Sequence, residues 1–197
     1  HEAFRWLHNS IRQILANFDP LEPGQNWKTA TFFNWLQKYY IVPLQHHHEA
    51  EDKIYTPAIV DKGGQLPPKI ATDHNEIVEG LEKCAMFRPK IEAGDEVAVT
   101  AFKTHLSNLV DIIDEHFAEE EEAYPCALRS SSMTEEEQKK VIEKIAHSSG
   151  LEGNKVLLPT AVYTLYMWAG KEKAEALVKA LPFAVRMAFT RFWIHDF

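Results

Sequence analysis

The chain has 197 residues, of which 45% are apolar and 25% are charged. This composition is that of one globular domain of ordinary size, and it excludes a disordered chain. The net charge of −8, from 21 basic and 29 acidic residues, speaks against a nucleic-acid partner, because an acidic surface repels phosphate backbones.

The first predicted helix spans residues 1–18. Positions 1, 4, 8, 11, 15 and 18 carry His, Phe, His, Ile, Leu and Phe, and this spacing places them on one helical face. A second helix is predicted over 28–56, ending before Pro57. Pro43 lies inside it, and we expect a kink there because proline has no N–H for the carbonyl of Tyr39.

Two more long helices are predicted over 69–87 and 95–128, both with apolar residues at helical spacing. Four long helices joined by short loops favour an up-down-up-down four-helix bundle. We therefore predict an all-α fold, in which residues 1–128 form the bundle. Residues 129–197 form additional helices packed on it.

This C-terminal extension is predicted to begin with a helix that runs to Ala146, after a capping sequence at Ser132-Met-Thr-Glu-Glu-Glu. Gly150 and Gly153 are expected to break that helix. Shorter helical segments rich in Trp, Phe, Tyr and Met follow near 158–169, 171–180 and 183–193. Their aromatic content leads us to expect that they pack on the bundle and do not form a separate domain.

The longest nearly apolar run, 156–169, is too short to cross a bilayer and contains Pro159, so we expect no membrane segment. Cys84 and Cys126 lie far apart and outside any Cys-x-x-Cys motif. Free thiols of this kind are typical of a reducing compartment. We therefore expect a cytoplasmic protein.

Two stretches place a histidine four residues before a glutamate on a predicted helix, namely His47 with Glu51 and His116 with Glu120. This spacing puts both side chains of a pair on one face. Two such helices facing each other would bring two imidazoles and two carboxylates into the bundle interior. Buried carboxylates are costly unless a cation compensates them. Iron, manganese and zinc all suit these ligands, and bridging carboxylates favour a two-metal site.

The third helix offers His74, which lies one turn before Ile77 on the inward face. Its distance from the loop between the third and fourth helices, about 13 to 18 residues, is comparable with the roughly 20 residues that precede His116 in its helix. The two histidines can therefore meet at one height in the bundle.

The first helix offers two histidines, of which we prefer His1 to His8. His1 lies 17 residues before Phe18, whereas His8 lies only 10 residues before it. The second helix has about 18 residues before His47, so His1 matches that height and His8 is offset by about 10 Å. His8 stays open as the alternative ligand in place of His1.

Three consecutive histidines, His46, His47 and His48, occur in the second helix. Only His47 has a glutamate four residues later, and His48 with Asp52 is the runner-up pair. We therefore expect His46 and His48 to lie behind the ligands or at the surface.

This order of residues resembles the hemerythrin-like (HHE cation-binding) family. The stretch from His47-His-Glu-Ala-Glu51 to Pro57 is similar to the family's His-x-x-x-Glu-Glu…Pro signature, and residues 116–125 repeat it with the proline one residue earlier. The opening His1-Glu-Ala-Phe-Arg also fits the family's first helix. The resemblance covers residues 1–128.

The resemblance implies a non-haem centre of two iron ions, with a bridging oxo or hydroxo group, in which manganese or zinc can substitute. By the same resemblance, the terminal ligands would be His1, His47, His74 and His116, and the bridging ligands would be Glu51 and Glu120. One departure stands out: the oxygen-carrying hemerythrins have His-x-x-x-His on the third helix, and here position 78 is valine. Fewer histidines would leave coordination positions open to water, O₂, peroxide or substrate.

Three functions follow from this interpretation. The first is binding or sensing of O₂ or a related small molecule at the metal. The second is an oxidative enzyme, an O₂- or peroxide-activating oxygenase or oxidase, in which C-terminal aromatic residues cover a substrate pocket; the candidates are Trp168, Phe183, Phe189, Phe192 and Trp193. The third is iron storage or repair. We rank binding or sensing first, because the sequence shows no substrate-binding group.

Overall fold

The computed structural model describes residues 1–22, 24 and 26–195, and it describes Asn26, Leu151 and Glu152 by their backbone alone. Every regular element in these residues is helical. Eight helices and one short 3₁₀ turn (Trp193–His195) follow one another, and the helices are α1 (Glu2–Asn17), α2 (26–60), α3 (Pro68–Glu92), α4 (Glu96–Ser130), α5 (Glu135–Ser148), α6 (Gly150–Ala169), α7 (Lys171–Ala180) and α8 (Phe183–Arg191). The predicted all-α bundle with additional C-terminal helices is confirmed. None of the described helices has the length and apolar character needed to cross a bilayer.

Helix α2 contains two π-helical segments, Leu36–Ile41 and Glu51–Tyr55, and each lies just before a proline. In both, a backbone N–H donates to the carbonyl five residues earlier, from Val42 to Gln37 and from Thr56 to Glu51. Proline has no N–H to donate, and its ring crowds the preceding turn. The wider π-helical turn makes room for that ring, so the helix can continue past the proline. The prediction that the helix ends before Pro57 is therefore wrong, because α2 continues to Val60.

Helices α3 and α4 pack closely against each other at Gly80. A Cβ atom at Gly80 would lie 2.6 Å from the Cδ1 atom of Leu109, so the glycine allows the two backbones to approach. The carbonyl of Gly80 accepts a hydrogen bond from His105 Nε2 at 2.8 Å. Helix α4 begins where Asp95 accepts a hydrogen bond from the Ala98 N–H at 3.0 Å, which satisfies one unpaired donor of the first turn.

The interior of the bundle is apolar along most of its length, and one cluster of buried side chains from all four helices fills it. Helix α1 contributes Leu7, Ile11 and Leu15 at the spacing of one helical face. Leu81 on α3 and Leu106 on α4 are completely buried in the same cluster. This close packing sets how the four helices are aligned along the bundle axis. It therefore also sets the height at which inward polar residues of different helices meet.

Helices α5 to α8 form the C-terminal extension. Thr134 and Glu137 form the capping box at the start of α5 that the sequence predicted. Gly150 has a φ of +60° and separates α5 from α6, whereas Gly153 lies inside α6, so the predicted break at Gly153 is wrong. Helix α6 packs against α1 and the middle of α2. The division of the chain into domains at residue 128 stays a prediction.

Candidate metal centre

The two His-x-x-x-Glu motifs face each other across the interior of the bundle. On α2, His47 Nε2 lies 3.5 Å from Glu51 Oε1, and on α4, His116 Nε2 lies 3.2 Å from Glu120 Oε1. The side chain of Glu120 is completely buried, and that of Glu51 is 10% exposed. The predicted spacing therefore places two carboxylates inside the protein.

Glu120 contacts imidazoles from three different helices. Its Oε2 atom lies 3.1 Å from His1 Nε2, where α1 begins. Its Oε1 atom lies 3.2 Å from His74 Nε2 on α3 and from His116 Nε2 on its own helix. One carboxylate thus has imidazole nitrogens at both of its oxygens.

These residues form two adjoining groups whose ligand atoms each lie within 4.8 Å of one another. The first group contains His48, His74 and His116, and the second contains His1, His47, Glu51 and Glu120. The structure thus brings together all six residues that the sequence singled out as candidate ligands. Glu120 belongs to the second group and also contacts two histidines of the first.

His48, which the sequence analysis placed behind the ligands or at the surface, lies inside the bundle in the first group. Its side chain is buried, with 1% exposed, and its ring stacks on that of His74 with centroids 4.4 Å apart. Adjacent residues of an α-helix project about 100° apart, so His47 and His48 lie on either side of the direction that points into the bundle. The runner-up pair with Asp52 does not form, because Asp52 Oδ1 accepts a hydrogen bond from His74 Nδ1 at 2.7 Å.

His8, the alternative to His1, belongs to neither group. Its Nδ1 atom bonds to Asp114 Oδ1 at 2.7 Å, and its Nε2 atom bonds to the hydroxyl of Tyr40 at 2.9 Å. Both nitrogens are therefore engaged elsewhere in the core.

The choice between the two first-helix histidines can be tested by metal content. We expect His1→Ala to lose about half of the bound metal, because it removes one imidazole from the second group. His8→Ala should keep the full amount. Metal per chain is measured after anaerobic loading and desalting, and a larger loss in His8→Ala than in His1→Ala would reverse the assignment.

Carboxylates lie behind three of the histidines, and two of them hydrogen-bond to the ring. His1 Nδ1 donates to Glu121 at 3.0 Å and His74 Nδ1 donates to Asp52 at 2.7 Å. An oxygen of Asp73 lies 3.5 Å from His116 Nδ1 without a hydrogen bond. With a cation at the centre, a proton on Nδ1 of His1 or His74 would leave the Nε2 lone pair to the cation, which is the usual arrangement behind metal-bound histidines.

Several buried polar atoms of the centre make no hydrogen bond to any described residue, which would cost about 1–3 kcal/mol each if nothing else paired with them. They are His47 Nε2, Glu51 Oε2, Glu120 Oε2 and both ring nitrogens of His48 and His116. Imidazole nitrogens and carboxylate oxygens are the ligands that iron and related cations prefer. The donor set therefore fits a pair of bound cations.

The two carboxylates differ in their protonation. Burial, and then the charge of Glu120, raises the pKa of Glu51 to about 9. Burial alone would also raise the pKa of Glu120, but the imidazoles of His1, His116 and His74, whose nitrogens lie within 3.2 Å of its oxygens, outweigh burial and hold that pKa well below its usual range. Burial opposes the charging of His74, and its bonds with Glu120 and Asp52 nevertheless raise its pKa. A proton on Glu51 thus limits the negative charge when no cation is bound.

Two other histidines of the centre are held neutral. Burial, followed by the charge of His1, lowers the pKa of His47 to about 3. Burial, followed by His74, lowers that of His48 to about 2. Because metal ligation requires the neutral imidazole, both side chains are ready to bind at neutral pH.

The raised pKa of Glu51 predicts how stability depends on pH. A carboxyl group whose pKa is higher in the folded state stabilises the fold below its unfolded value, and this contribution is lost as the pH rises toward about 9. We expect chelator-treated Glu51→Gln to match the wild type near pH 4. At pH 8 it should be more stable by on the order of 3 kcal/mol.

Urea unfolding of the metal-free proteins across this pH range measures the difference. Glu49→Gln on the same helix is the matched control, because Glu49 is exposed and its bond with Lys53 lowers its pKa. A difference between Glu51→Gln and wild type that does not change with pH would contradict the prediction.

A cavity of about 250 Å³ borders His47 between the bundle and the C-terminal extension. Its walls are mainly apolar and include Phe4, Pro43, Leu157, Ala161 and Thr164. The C-terminal aromatic residues proposed as its cover lie elsewhere. Trp168, Phe183 and Phe192 are 45%, 70% and 64% exposed, and Phe189 and Trp193 are buried in packing contacts. Helix α6, through its smaller residues, therefore covers this side of the centre.

Comparison with known proteins gives one match. Residues 1–128 match the family model of the hemerythrin HHE cation binding domain. No curated protein and no solved structure matches the chain. The matched range contains α1 to α3, most of α4 and every residue of the two histidine–carboxylate groups.

Proposed function

This chain belongs to the hemerythrin HHE cation-binding family, and on that basis we propose that it holds two iron ions and binds or senses O₂ or a related small molecule there. The observation that carries the proposal is the position of Glu120, which has imidazole nitrogens at both of its oxygens. A carboxylate shared in this way is suited to bridge two cations. Glu51, whose oxygens lie 3.5 Å from His47 and 3.8 Å from His74, would be the second bridge.

The numbers of imidazoles on the two sides support a site for a small molecule. The first group offers three imidazoles, whereas the second offers His1 and His47. If Glu51 and Glu120 each bind both cations, the cation at the second group has one protein ligand fewer than the cation at the first group. A reactive metal site keeps such a position for an external ligand.

Aromatic rings flank the two imidazoles of the second group. The ring of Phe117 stacks on His1 with centroids 4.2 Å apart, and the ring of Phe4 lies 5.4 Å from His47. Iron at this position would supply electrons for reversible binding of a diatomic molecule. The protein's part is to orient the imidazole of His1 through Glu121 and to flank both rings with apolar side chains.

Loading of the full chain with Fe(II) under anaerobic conditions, followed by exposure to air, tests this proposal. We expect two iron ions per chain and a new absorption band that disappears when O₂ is removed. A chain that retains no iron after desalting would refute the metal centre. Iron that oxidises irreversibly, without an oxygenated species, would refute reversible O₂ binding.

The cavity beside His47 favours an oxidative enzyme as the second candidate. Its volume of about 250 Å³ exceeds what a diatomic molecule needs, and a cavity of roughly 150 Å³ with apolar walls already accepts benzene. A small apolar substrate would therefore fit next to the second group. Consumption of O₂ or peroxide by the iron-loaded chain that depends on an added small aromatic compound would support this candidate over simple binding.

A further inference from the structure

A buried line of three polar residues, Tyr40, His8 and Asp114, lies outside the two histidine–carboxylate groups. The hydroxyl of Tyr40 is 2.9 Å from His8 Nε2, and His8 Nδ1 is 2.7 Å from Asp114 Oδ1. Tyr40 and His8 are both completely buried. Arg12 donates to the other oxygen of Asp114 at 2.8 Å and fixes that carboxylate.

The ionisation of Asp114 determines which ring nitrogen of His8 carries the proton. Burial would raise the pKa of Asp114, but its bonds with Arg12 and His8 outweigh burial and lower it. An ionised carboxylate only accepts, so the N–H of His8 must be at Nδ1. Nε2 then carries the lone pair and accepts from the Tyr40 hydroxyl. Burial lowers the pKa of His8 and raises that of Tyr40, which keeps both groups neutral.

Aromatic rings connect this line to the candidate metal centre. The ring centroids of Tyr40 and His8 are 5.6 Å apart. The ring of His8 is nearly parallel to that of Phe117, at 6.0 Å and 4°, and Phe117 stacks on His1 at 4.2 Å and 6°. Each ring in this series is in contact range of the next. The rings thus form a continuous packed path from Tyr40 to His1, through which an electron can tunnel without residing on Phe117.

We propose that Tyr40 is a redox-active residue that donates one electron to the metal centre while its phenolic proton moves to His8. The proposal rests on the iron centre proposed above. Iron held at that centre and exposed to peroxide would supply the one-electron oxidant. The O–H bond of Tyr40 would break, an N–H bond would form at His8 Nε2, and the electron from Tyr40 would go to that oxidant. The products are a neutral phenoxyl radical and an imidazolium.

The arrangement keeps the electrostatic cost of this step low. Loss of an electron without loss of the proton would leave a cationic phenol in the core, which is costly in a medium of low dielectric constant. Here the new positive charge lies on His8, next to the carboxylate of Asp114. The charge is thus compensated at once by a partner that is already in place. Return of an electron to Tyr40 returns the proton along the same hydrogen bond.

Tyr124 is a second buried tyrosine near the centre, and its hydroxyl has a different partner from that of Tyr40. Its hydroxyl lies 2.8 Å from the hydroxyl of Thr56, and the carboxylate of Glu51 is close enough to raise its pKa further after burial has done so. A threonine hydroxyl is not a base at neutral pH. Among the described residues, no base is hydrogen-bonded to the Tyr124 hydroxyl as His8 is to that of Tyr40, so Tyr124 serves as the matched control.

The test uses the full chain loaded with Fe(II), mixed with hydrogen peroxide, frozen within seconds and examined by electron paramagnetic resonance. We expect a tyrosyl radical signal in the wild type and in Tyr124→Phe. The signal should be lost in Tyr40→Phe and reduced at least tenfold in His8→Gln, with iron content unchanged. Protein made with ring-deuterated tyrosine should show a narrower signal, which identifies the radical as tyrosyl.

The contrary outcomes separate this proposal from the proposed function. Retained iron with no radical, or with an equal radical in Tyr40→Phe, overturns the role of Tyr40 and leaves the iron centre intact. A chain that retains no iron overturns both. Nitrogen-15 resonances of His8 in the metal-free chain give an independent check, because a proton at Nε2 at neutral pH would exclude the transfer.

Discussion

Replacement of Glu120 by alanine is expected to abolish binding of both metal ions that we propose for the centre. Glu120 is the residue whose two oxygens contact both groups, with His1 on one side and His74 and His116 on the other. Its loss would take a negatively charged ligand from each cation, and the positive charge of the cations would then be less well compensated inside the protein. Metal per chain, measured by elemental analysis after anaerobic loading, should fall from two ions to essentially none.

Glu119→Ala is the matched control for this variant. Glu119 is the adjacent residue on α4, is 44% exposed and pairs with Lys69 at the surface. It should retain the full metal content of the wild type. Two tightly held ions in Glu120→Ala, or an equal loss in both variants, would show that Glu120 does not bridge the cations.

Replacement of His48 by alanine is expected to have the second largest effect and to remove one of the two ions. His48 lies with His74 and His116 in the first group, and burial and its neighbours keep it neutral. Without it, that side would have two imidazoles in place of three, while the second group would keep all of its residues. Metal content should fall from two ions to one, and the affinity of the lost ion should fall at least about a hundredfold.

His46→Ala provides the comparison on the same helix. His46 belongs to neither group and lines the surface cavity beside Glu49 and Lys53. It should bind two ions like the wild type. If His46→Ala and His48→Ala lose the same amount of metal, the assignment of the third imidazole to His48 is wrong.

The position of His48 changes how the departure at position 78 is understood. The sequence predicted fewer histidines at the centre, because a valine stands four residues after His74. In the structure, a residue of α2 fills the first group with a third imidazole. The number of nearby histidines is therefore five, and the open coordination position that we propose would lie on the side of His1 and His47.

Much of the fold was predictable because it depends on local periodicity. Apolar residues three and four apart identified the four long helices, and the capping sequence Ser132-Met-Thr-Glu-Glu-Glu identified the start of α5, where Thr134 and Glu137 form the box. The same periodicity placed His47 with Glu51 and His116 with Glu120 on common faces. Counting residues from the loops was enough to choose His1 over His8 as the neighbour of Glu120, because every α-helical residue adds about 1.5 Å.

The ends and irregularities of helices were less predictable. A proline can end a helix, kink it or follow a π-helical turn, and the local sequence does not distinguish these outcomes. At Pro57 the helix continues because the preceding turn widens at Glu51. Gly153 lies inside α6 because an interior glycine weakens a helix without necessarily ending it, whereas Gly150, with a φ of +60°, separates α5 from α6.

The sequence by itself determined which residues share a helical face, and so it determined that imidazoles and carboxylates would meet at one depth in a bundle. Only the tertiary structure decided what each inward histidine contacts. His8 pairs with Tyr40, 32 positions along the chain, and with Asp114, 106 positions away, whereas His48 joins His74 and His116. Periodicity describes one helix at a time, and these contacts depend on the rotation and packing of several helices at once.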